Sequence, residues 1–277
     1  MRDTDCVSFL QWALPRLRLR WPGFRRVRGQ VCKRISRRMD ELGLAEVAAY
    51  RARLEADPAE WAILDACCWI SISRFHRDRV VFEDLGAGIL PELARAAAAD
   101  GRSALRAWSA GCASGEEPYS LRLVWDLLVA PGWPDVGLEI VATDVSSELL
   151  ERAHRGVYAY SALKDLPAGW RSRAFVETQG HLRLRDEFRV GVALRKEDFR
   201  ESMPESPFDL VLCRNLAFTY FDLDLQWTIL EGLGERLAPR GFLLIGAHER
   251  LPESPHFMGM GRTPGLYRPR RSDAGSS

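Results

Sequence analysis

Two adjacent carboxylates, Glu116 and Glu117, sit in the stretch most able to do chemistry, Trp108–Leu121, which reads W-S-A-G-C-A-S-G-E-E-P-Y-S-L. They follow Gly111 and Gly115, with small residues at Ala110, Cys112, Ala113 and Ser114, where backbone can closely approach a ligand. Pro118 then suits the first turn of a helix, where its missing N–H costs nothing. A helix N-terminus with free N–H groups favours an anion. Two acids at that point would repel a pyrophosphate, and no Lys-Ser/Thr pair follows the glycines as a phosphate-binding loop requires. The acids suit a ligand with a cationic amino-acid end and no phosphates. S-adenosylmethionine, with its α-ammonium and sulfonium, is such a ligand. They equally suit a local role, capping the helix and complementing its dipole, and the loop by itself leaves both open.

Positioning such a corner takes a strand, a loop and a helix. Leu105–Trp108 is an apolar run fit for a buried strand, and Leu121, Leu123, Val124, Leu127 and Leu128 recur at helical spacing. A second strand, Leu138–Ala142, ends in Thr143-Asp144, and an acid at that place is the usual partner of ribose hydroxyls. A helix over Ser147–Arg155 closes at Gly156. Phe175–Val190 breaks the alternation with a hairpin around Gln179-Gly180. Val192–Arg195 and Phe208–Cys213 read as strands, the latter placing Arg214-Asn215 at a carboxyl end, where open sheets bind ligands. Leu223–Leu237 reads as a helix, Pro239-Arg-Gly241 as a turn, Phe242–Gly246 as a strand and Gly265–Arg268 as a last one. The alternation implies a parallel sheet with helices on both faces.

The remaining chain sets the context. A length of 277 residues with 47% hydrophobic and 28% charged residues suits an ordinary globular protein, and a net charge of +1 gives no general case for nucleic acid or an anionic membrane. No apolar run is long enough to span a bilayer, and the amino terminus lacks the pattern of a signal peptide. Cys6, Cys32, Cys67, Cys68, Cys112 and Cys213 form no C-x-x-C pair and have no clustered His, so they read as reduced cytosolic thiols with no metal site. The first forty residues carry Arg16, Arg18, Arg20, Arg25, Arg26, Arg28, Lys33, Arg34, Arg37 and Arg38. Val27, Val31, Ile35, Met39 and Leu42 run at helical spacing among them, so one face packs and the other is cationic. Such a face is either solvated or docks an acidic partner. Helices through Val47–Leu54 and from Asp57-Pro58 to Cys68 follow, and Phe82–Ala97 resumes helical spacing. The expected organisation is a helical domain over 1–70, a polar junction over 71–80, a ligand-binding α/β domain over 81–271 with a β insertion at about 174–190, and a disordered tail over 272–277. His248, in Gly246-Ala-His-Glu-Arg250, reads as a packing residue.

Taken together, these stretches resemble the CheR-type chemotaxis receptor methyltransferases, S-adenosylmethionine-dependent protein-glutamate O-methyltransferases. The family's A-S-T-G-E-E-P-Y-S appears as Cys112-Ala-Ser-Gly-Glu-Glu-Pro-Tyr-Ser120, and its A-T-D-I as Ala142-Thr-Asp-Val145. Its F-D-x-x-x-C-R-N is Phe208–Asn215, and its L-x-P-G-G-x-L-x-x-G is Leu237–Gly246. The resemblance covers nearly the whole chain. It implies an α/β, Rossmann-like methyltransferase domain with a small amino-terminal helical domain and a short antiparallel β insertion, acting in the cytoplasm in protein methylation.

The resemblance also implies roles. Glu117 would hold the methionine ammonium with Glu116 beside it and Ala110 close by, and Asp144 would hold the ribose. Asp198-Phe199 would flank the adenine, and Arg214 and Asn215 would line the pocket. The family's junction motif T-N-x-T-x-F-F-R places Ser71, Ser73 and Arg77 at its Asn, Thr and Arg. The basic face would dock an acidic, helical chemoreceptor segment, and the hairpin corresponds to a subdomain that grips a receptor tail in some members. Methyl transfer to an already ionised carboxylate needs no general base, only positioning and desolvation. Arg77, with its planar fork, could orient that carboxylate. Three departures stand out: a junction with Ser71 for asparagine and His76 for the second phenylalanine, a short hairpin with no Gly-rich extension, which argues against tail binding, and one extra residue in Arg214-Asn-Leu-Ala-Phe-Thr-Tyr-Phe221. The active-site tyrosine is therefore Tyr220, or Phe218 takes its place. Three readings follow: methylation of a receptor glutamate, the same chemistry on another protein or small carboxylate, or a non-catalytic module that binds the cofactor.

Overall fold

The computed structural model describes residues 2–261 and 263–270, so the tail expected over 272–277 lies outside the described residues. Its contacts divide the chain into two units. One comprises the chain to Ser71 with Leu216–Gln226, the other Ile72–Asn215 with the chain from Trp227 onward.

The first unit is helical: α1 (Asp3–Ala13), α2 (Trp21–Phe24), α3 (Arg28–Glu41), α4 (Val47–Ala56) and α5 (Pro58–Cys68). Val31, Ile35 and Met39, four residues apart, form the buried stripe of α3. At the start of α5, Asp57 accepts the Ala59 N–H at 3.0 Å, and Pro58 takes the position where no donor is needed. Phe9 stacks on Tyr50 at 5.6 Å between ring centres. Under this layer lies Glu60, 1% exposed, held by the Arg38 guanidinium at 2.8 and 2.9 Å and by the Tyr50 hydroxyl at 3.0 Å. The short helix Ala217–Tyr220 belongs to this unit, with the Arg20 N–H donating to Tyr220 O at 2.8 Å and the Asp222 N–H to Arg18 O at 2.8 Å.

One expectation is corrected here. Cys6 of α1 and Cys32 of α3 are disulfide-bonded, with Cα atoms 5.9 Å apart, so the reduced reading fails for this pair. The packing of α1 on α3 brings together residues that their spacing in the chain did not connect. Cys67, Cys68, Cys112 and Cys213 are free thiols. Several cations of the amino-terminal stretch are paired while remaining exposed. Arg18 pairs with Asp222, Arg28 with Asp3, Arg37 with Glu41 and Arg38 with Glu60. Arg16 lies over the Trp12 ring, while Arg20 and Arg34 donate to backbone carbonyls. Arg25, Arg26 and Lys33 are left without a partner among the described residues.

The second unit is built on a seven-stranded sheet. In chain order its elements are α6 (Arg79–Asp84), α7 (Leu90–Ala99), β1 (Ala104–Ala110), α8 (Glu116–Val124), β2 (Gly137–Asp144), α9 (Ser147–Arg155), β3 (Val157–Tyr158), α10 (Trp170–Ala174), β4 (Phe175–Thr178), β5 (His181–Leu184), β6 (Val192–Lys196), β7 (Phe208–Cys213), β8 (Leu237–Ile245), β9 (Phe257–Gly259) and β10 (Leu266–Pro269). The sheet order is β6-β2-β1-β7-β8-β10-β9. The first five pair in parallel, and β10 and β9 add antiparallel at one edge. Every residue of β7 is buried, as befits a strand at the centre of a parallel sheet. The chain runs outward through β2 and β6, then returns to β7 on the other side of β1. That reversal makes the carboxyl end of β1 the point where a Rossmann-like sheet binds its ligand.

Other details depart from expectation. The helix expected over Phe82–Ala97 is α6 and α7 joined by a π-helical turn, Leu85–Ile89. There Gly86 lets Val124 and Leu128 approach, since a Cβ would lie 3.0 Å from each. The hairpin β4–β5 gains a third strand in β3, giving the sheet β3-β5-β4. Pro239-Arg-Gly241 is no free turn but an outward bulge within β8, whose pairing with β7 jumps from Phe208↔Leu237 to Leu210↔Phe242.

Candidate active site

The β1–α8 loop folds by alternating hands. Gly111, Ala113 and Gly115 all take left-handed backbone conformations, φ +78°, +48° and +89°. At Gly115 a side chain is also excluded by space, because a Cβ would come within 2.8 Å of the Tyr119 ring and 2.9 Å of Ala153. The Tyr158 hydroxyl donates to Ser114 O at 2.8 Å and that of Tyr119 to Ala153 O at 3.0 Å, fixing the loop from below. Four of the loop amides are already used. Gly111 and Cys112 N–H donate to Thr143 O at 2.8 and 2.9 Å, Gly115 N–H to Cys112 O at 3.0 Å, and Ala113 N–H to Asp144 Oδ2 at 2.9 Å. A phosphate would find few donors here.

The two adjacent acids point to different partners. Glu116 is 3% exposed, with the Ser114 hydroxyl donating to it at 2.8 Å. Burial pushes its carboxyl above the ordinary range, while its own amide and the Ser114 and Ser73 hydroxyls pull the other way. Glu117 is half-buried, accepting the Ser109 hydroxyl at 2.8 Å and Arg214 Nη1 at 3.1 Å. Arg214 is fully enclosed and acts as a bolt. Its Nη2 donates to Asp78 Oδ2 and to Arg77 O, both at 2.8 Å, and its guanidinium lies 5.2 Å from the centre of the Phe82 ring. The junction at Arg77-Asp78 is thus tied to the acid corner. Arg77 itself is half-exposed, with Nη1 donating to Ile72 O at 2.7 Å.

Asp144 ends β2 beside Ala110, whose partner in the parallel register is Thr143. Its carboxylate accepts the Ala113 and Ser146 amides at 2.9 Å each. Burial raises its pKa against those amides, and nearby Asp198 adds to the rise. Asp198 is paired with Arg200 at 2.7 Å, and Phe199 is buried beside it in the sequence. Asn215 follows β7 with φ +57°. The structure therefore gathers Ser73, Arg77, Ala110, Glu116, Glu117, Asp144, Asp198, Phe199, Arg214 and Asn215 into the second unit, while Ser71 and Tyr220 belong to the first. Tyr220 packs on Phe24 at 5.0 Å, and Phe218 is buried.

Sequence reasoning missed three groups that hold this site: Ser109, Asp78, and Glu249, whose Oε2 accepts the Asn215 N–H at 2.7 Å. Asp78 stands beside Arg77 in the sequence and Glu249 beside His248, which is exposed and not the packing residue expected; an acid just past a strand end was the available signal for Glu249.

The donor set can be tested against a ligand. Each oxygen of Glu117 already accepts one hydrogen bond, and a carboxylate has about four acceptor sites, so capacity remains for an ammonium. Asp144 likewise keeps lone pairs for hydroxyls. Arg214, the one cation paired with Glu117 among the described residues, is neutralised by Glu117 and Asp78. The corner fits a ligand with an ammonium and a ribose, and it is poorly suited to a phosphate.

Comparison with known proteins agrees. Residues 71–264 match the family model "CheR methyltransferase, SAM binding domain". The chain is 31% identical over 234 residues to chemotaxis protein methyltransferase 2 of Pseudomonas aeruginosa, covering 82% of this chain and 80% of that protein. It is 33% identical over 233 residues to the chemotaxis protein methyltransferase of Salmonella typhimurium, covering 80% and 76%. It is also 33% identical over 225 residues to an uncharacterized 104.1 kDa protein of Rhodobacter capsulatus, where it covers 80% of this chain but spans only 23% of that much longer protein. With its acid-lined corner at the sheet's reversal point, the chain belongs to the CheR methyltransferase family and is an S-adenosylmethionine-dependent methyltransferase.

Proposed function

We propose that the enzyme methylates glutamate side chains on an acidic helical protein, the cytoplasmic part of a chemoreceptor, giving a methyl ester. The observation that carries this reading is the placement of Arg77. Its guanidinium is half-exposed, with Nη1 on Ile72 O, and its backbone carbonyl is tied through Arg214 to Glu117, which supports reading it as the fork that meets the acceptor carboxylate. S-adenosylmethionine, when bound, supplies an electrophilic methyl group. Glu117 would hold its ammonium end, Asp144 its ribose and Asp198-Phe199 its adenine. Arg77 would align the acceptor carboxylate by paired N–H donors, and no side chain need remove a proton. Tyr220 is proposed as a further active-site residue.

Docking of the acceptor would fall to Arg25, Arg26 and Lys33, the amino-terminal cations left unpaired among the described residues. The place of action would be the cytoplasm, where ambient thiols would act on the Cys6–Cys32 bond. No helix among the described residues is long and apolar enough to cross a membrane.

Incubation with labelled S-adenosylmethionine and chemoreceptor fragments, followed by mass spectrometry, is expected to show base-labile esters on specific glutamates. Esters confined to other acceptors would refute the receptor assignment, and binding without turnover would refute methyl transfer to glutamate by this chain. In the same assay Arg77→Lys, which keeps the charge but loses the fork, should lower turnover at least tenfold, roughly 1.4 kcal/mol of positioning, with cofactor affinity and melting temperature preserved. Normal turnover would end the role. For the cofactor corner, Glu117→Gln and Asp144→Asn should each weaken S-adenosylmethionine binding by about ten- to a hundredfold, the equivalent of losing roughly 1.5–3 kcal/mol of charge-assisted hydrogen bonding. Calorimetric titration with unchanged affinity in both variants would sink the assignment.

A further inference from the structure

We infer that Glu249 is a positioning residue of the cofactor site, holding the Arg214–Asn215 corner in the shape that serves the ligand. The parallel pairing of β7 with β8 ends at Cys213↔Ile245. Beyond that pair the two backbones no longer pair as strands, yet Arg214-Asn215 and Gly246-Ala247 continue as buried or half-buried residues. Glu249 supplies the missing acceptor. Its Oε2 takes the N–H of Asn215 at 2.7 Å and the N–H of Gly246 at 2.7 Å, and its own N–H donates to Gly246 O at 2.9 Å. One carboxylate oxygen, on a residue 8% exposed, therefore joins the carboxyl ends of two neighbouring strands. Both bonds have the short length typical of amide donors on an ionised acceptor.

The joint matters because of what hangs from it. Asn215 is left-handed at φ +57°, a conformation its side chain tolerates but does not enforce. The preceding residue, Arg214, sends its guanidinium to Glu117 and Asp78. Fixing the Asn215 amide fixes the turn that aims both side chains. The space is also closed around this arrangement: a Cβ on Gly246 would come within 2.7 Å of the Glu249 carboxylate and 2.9 Å of Asn215 Oδ1.

The inference rests on reading Arg214 and Asn215 as cofactor-site residues, and its test separates the two. In Glu249→Ala, affinity for S-adenosylmethionine, measured by calorimetry well below the melting temperature, should fall about tenfold, as expected for a lost charge-assisted bond. Glu249→Gln keeps one oxygen able to accept both amides, so it should restore most of that loss. A purely structural role would lower the melting temperature of the alanine variant and leave the affinity of its folded protein unchanged; that result overturns the inference. If Glu249→Ala does not fold, Glu249→Asp takes its place: one methylene shorter, it cannot reach both amides, and unchanged affinity would overturn the inference in the same way. Glu117→Gln is measured in parallel. If it weakens binding while the Glu249 variants do not, positioning by Glu249 fails alone. If neither weakens binding, the reading of the whole corner fails with it.

Discussion

Arg38→Met is expected to destabilise the helical unit by about 3 kcal/mol or more at neutral pH, the usual cost of stranding one partner of a buried ion pair. The charge left behind is Glu60, 1% exposed, which holds two Arg38 nitrogens and the Tyr50 hydroxyl. Arg38, followed by Tyr50, keeps the Glu60 carboxyl below its ordinary value of 4.5 against the opposing effect of burial. The sign of the pH dependence follows. A carboxylate with a depressed folded pKa stabilises the fold above the unfolded value, and that contribution is lost as pH falls through the folded one. The gap between wild type and Arg38→Met should therefore be full at pH 7 and shrink below about 4.5. Arg25→Met, at a cation with no partner among the described residues, serves as the control and should melt within about 0.5 kcal/mol of wild type. Equal melting of all three proteins at pH 7 would show that Glu60 does not depend on Arg38. The pair of variants also separates roles: Arg38 acts on stability, whereas Arg25 is expected to act on acceptor binding.

Local chemistry read from the chain located the acid corner well, because strand, small-residue loop and helix start are contiguous there and each leaves its own signal. The ends of β7 and the helix over Ser147–Arg155 were legible for the same reason: an unbroken apolar run, and a periodic stripe closed by Gly156. What could not be read is what depends on partners far along the chain. Arg214 looked like a pocket residue, and its function as a bolt required Asp78, 136 positions earlier. The amino-terminal arginines gave no sign of their acidic partners because Asp222 and Glu60 are distant in sequence, and the Cys6–Cys32 bond spans 26 positions. β3 was missed because two residues carry no periodicity. Pro239-Arg-Gly241 has the composition of a turn, and only the register of β7 shows that the same residues bulge from a strand.

His76→Phe is expected to remove most of the acid sensitivity of the second unit between pH 7.5 and 5. His76 is 1% exposed, stacked on Phe82 at 4.9 Å and edge-on to Trp170 at 5.0 Å. Neither ring nitrogen has a hydrogen-bond partner among the described residues. Its backbone N–H is satisfied by the Ser120 hydroxyl at 2.9 Å and would remain so in the variant. Burial depresses the imidazole pKa from 6.5 to about 4; Glu83 and Asp165 oppose that shift and Arg79 adds to it. Because the folded value lies below the unfolded one, the unfolded chain takes up the proton first. Stability is full above the unfolded value and falls as pH drops from 6.5 toward about 4. Between pH 7.5 and 5 that linkage amounts to about 2 kcal/mol of lost stability. A phenyl ring, which the family carries at this position, keeps both aromatic contacts, has nothing to protonate, and removes those two buried nitrogens. Urea unfolding of both proteins at the two pH values is the measurement. Wild type should lose about 2 kcal/mol more than His76→Phe, while at pH 7.5 the variant should be at least as stable. Parallel losses in the two proteins would show that the acid sensitivity arises elsewhere, and a variant much weaker at pH 7.5 would show that the cage is built around the imidazole.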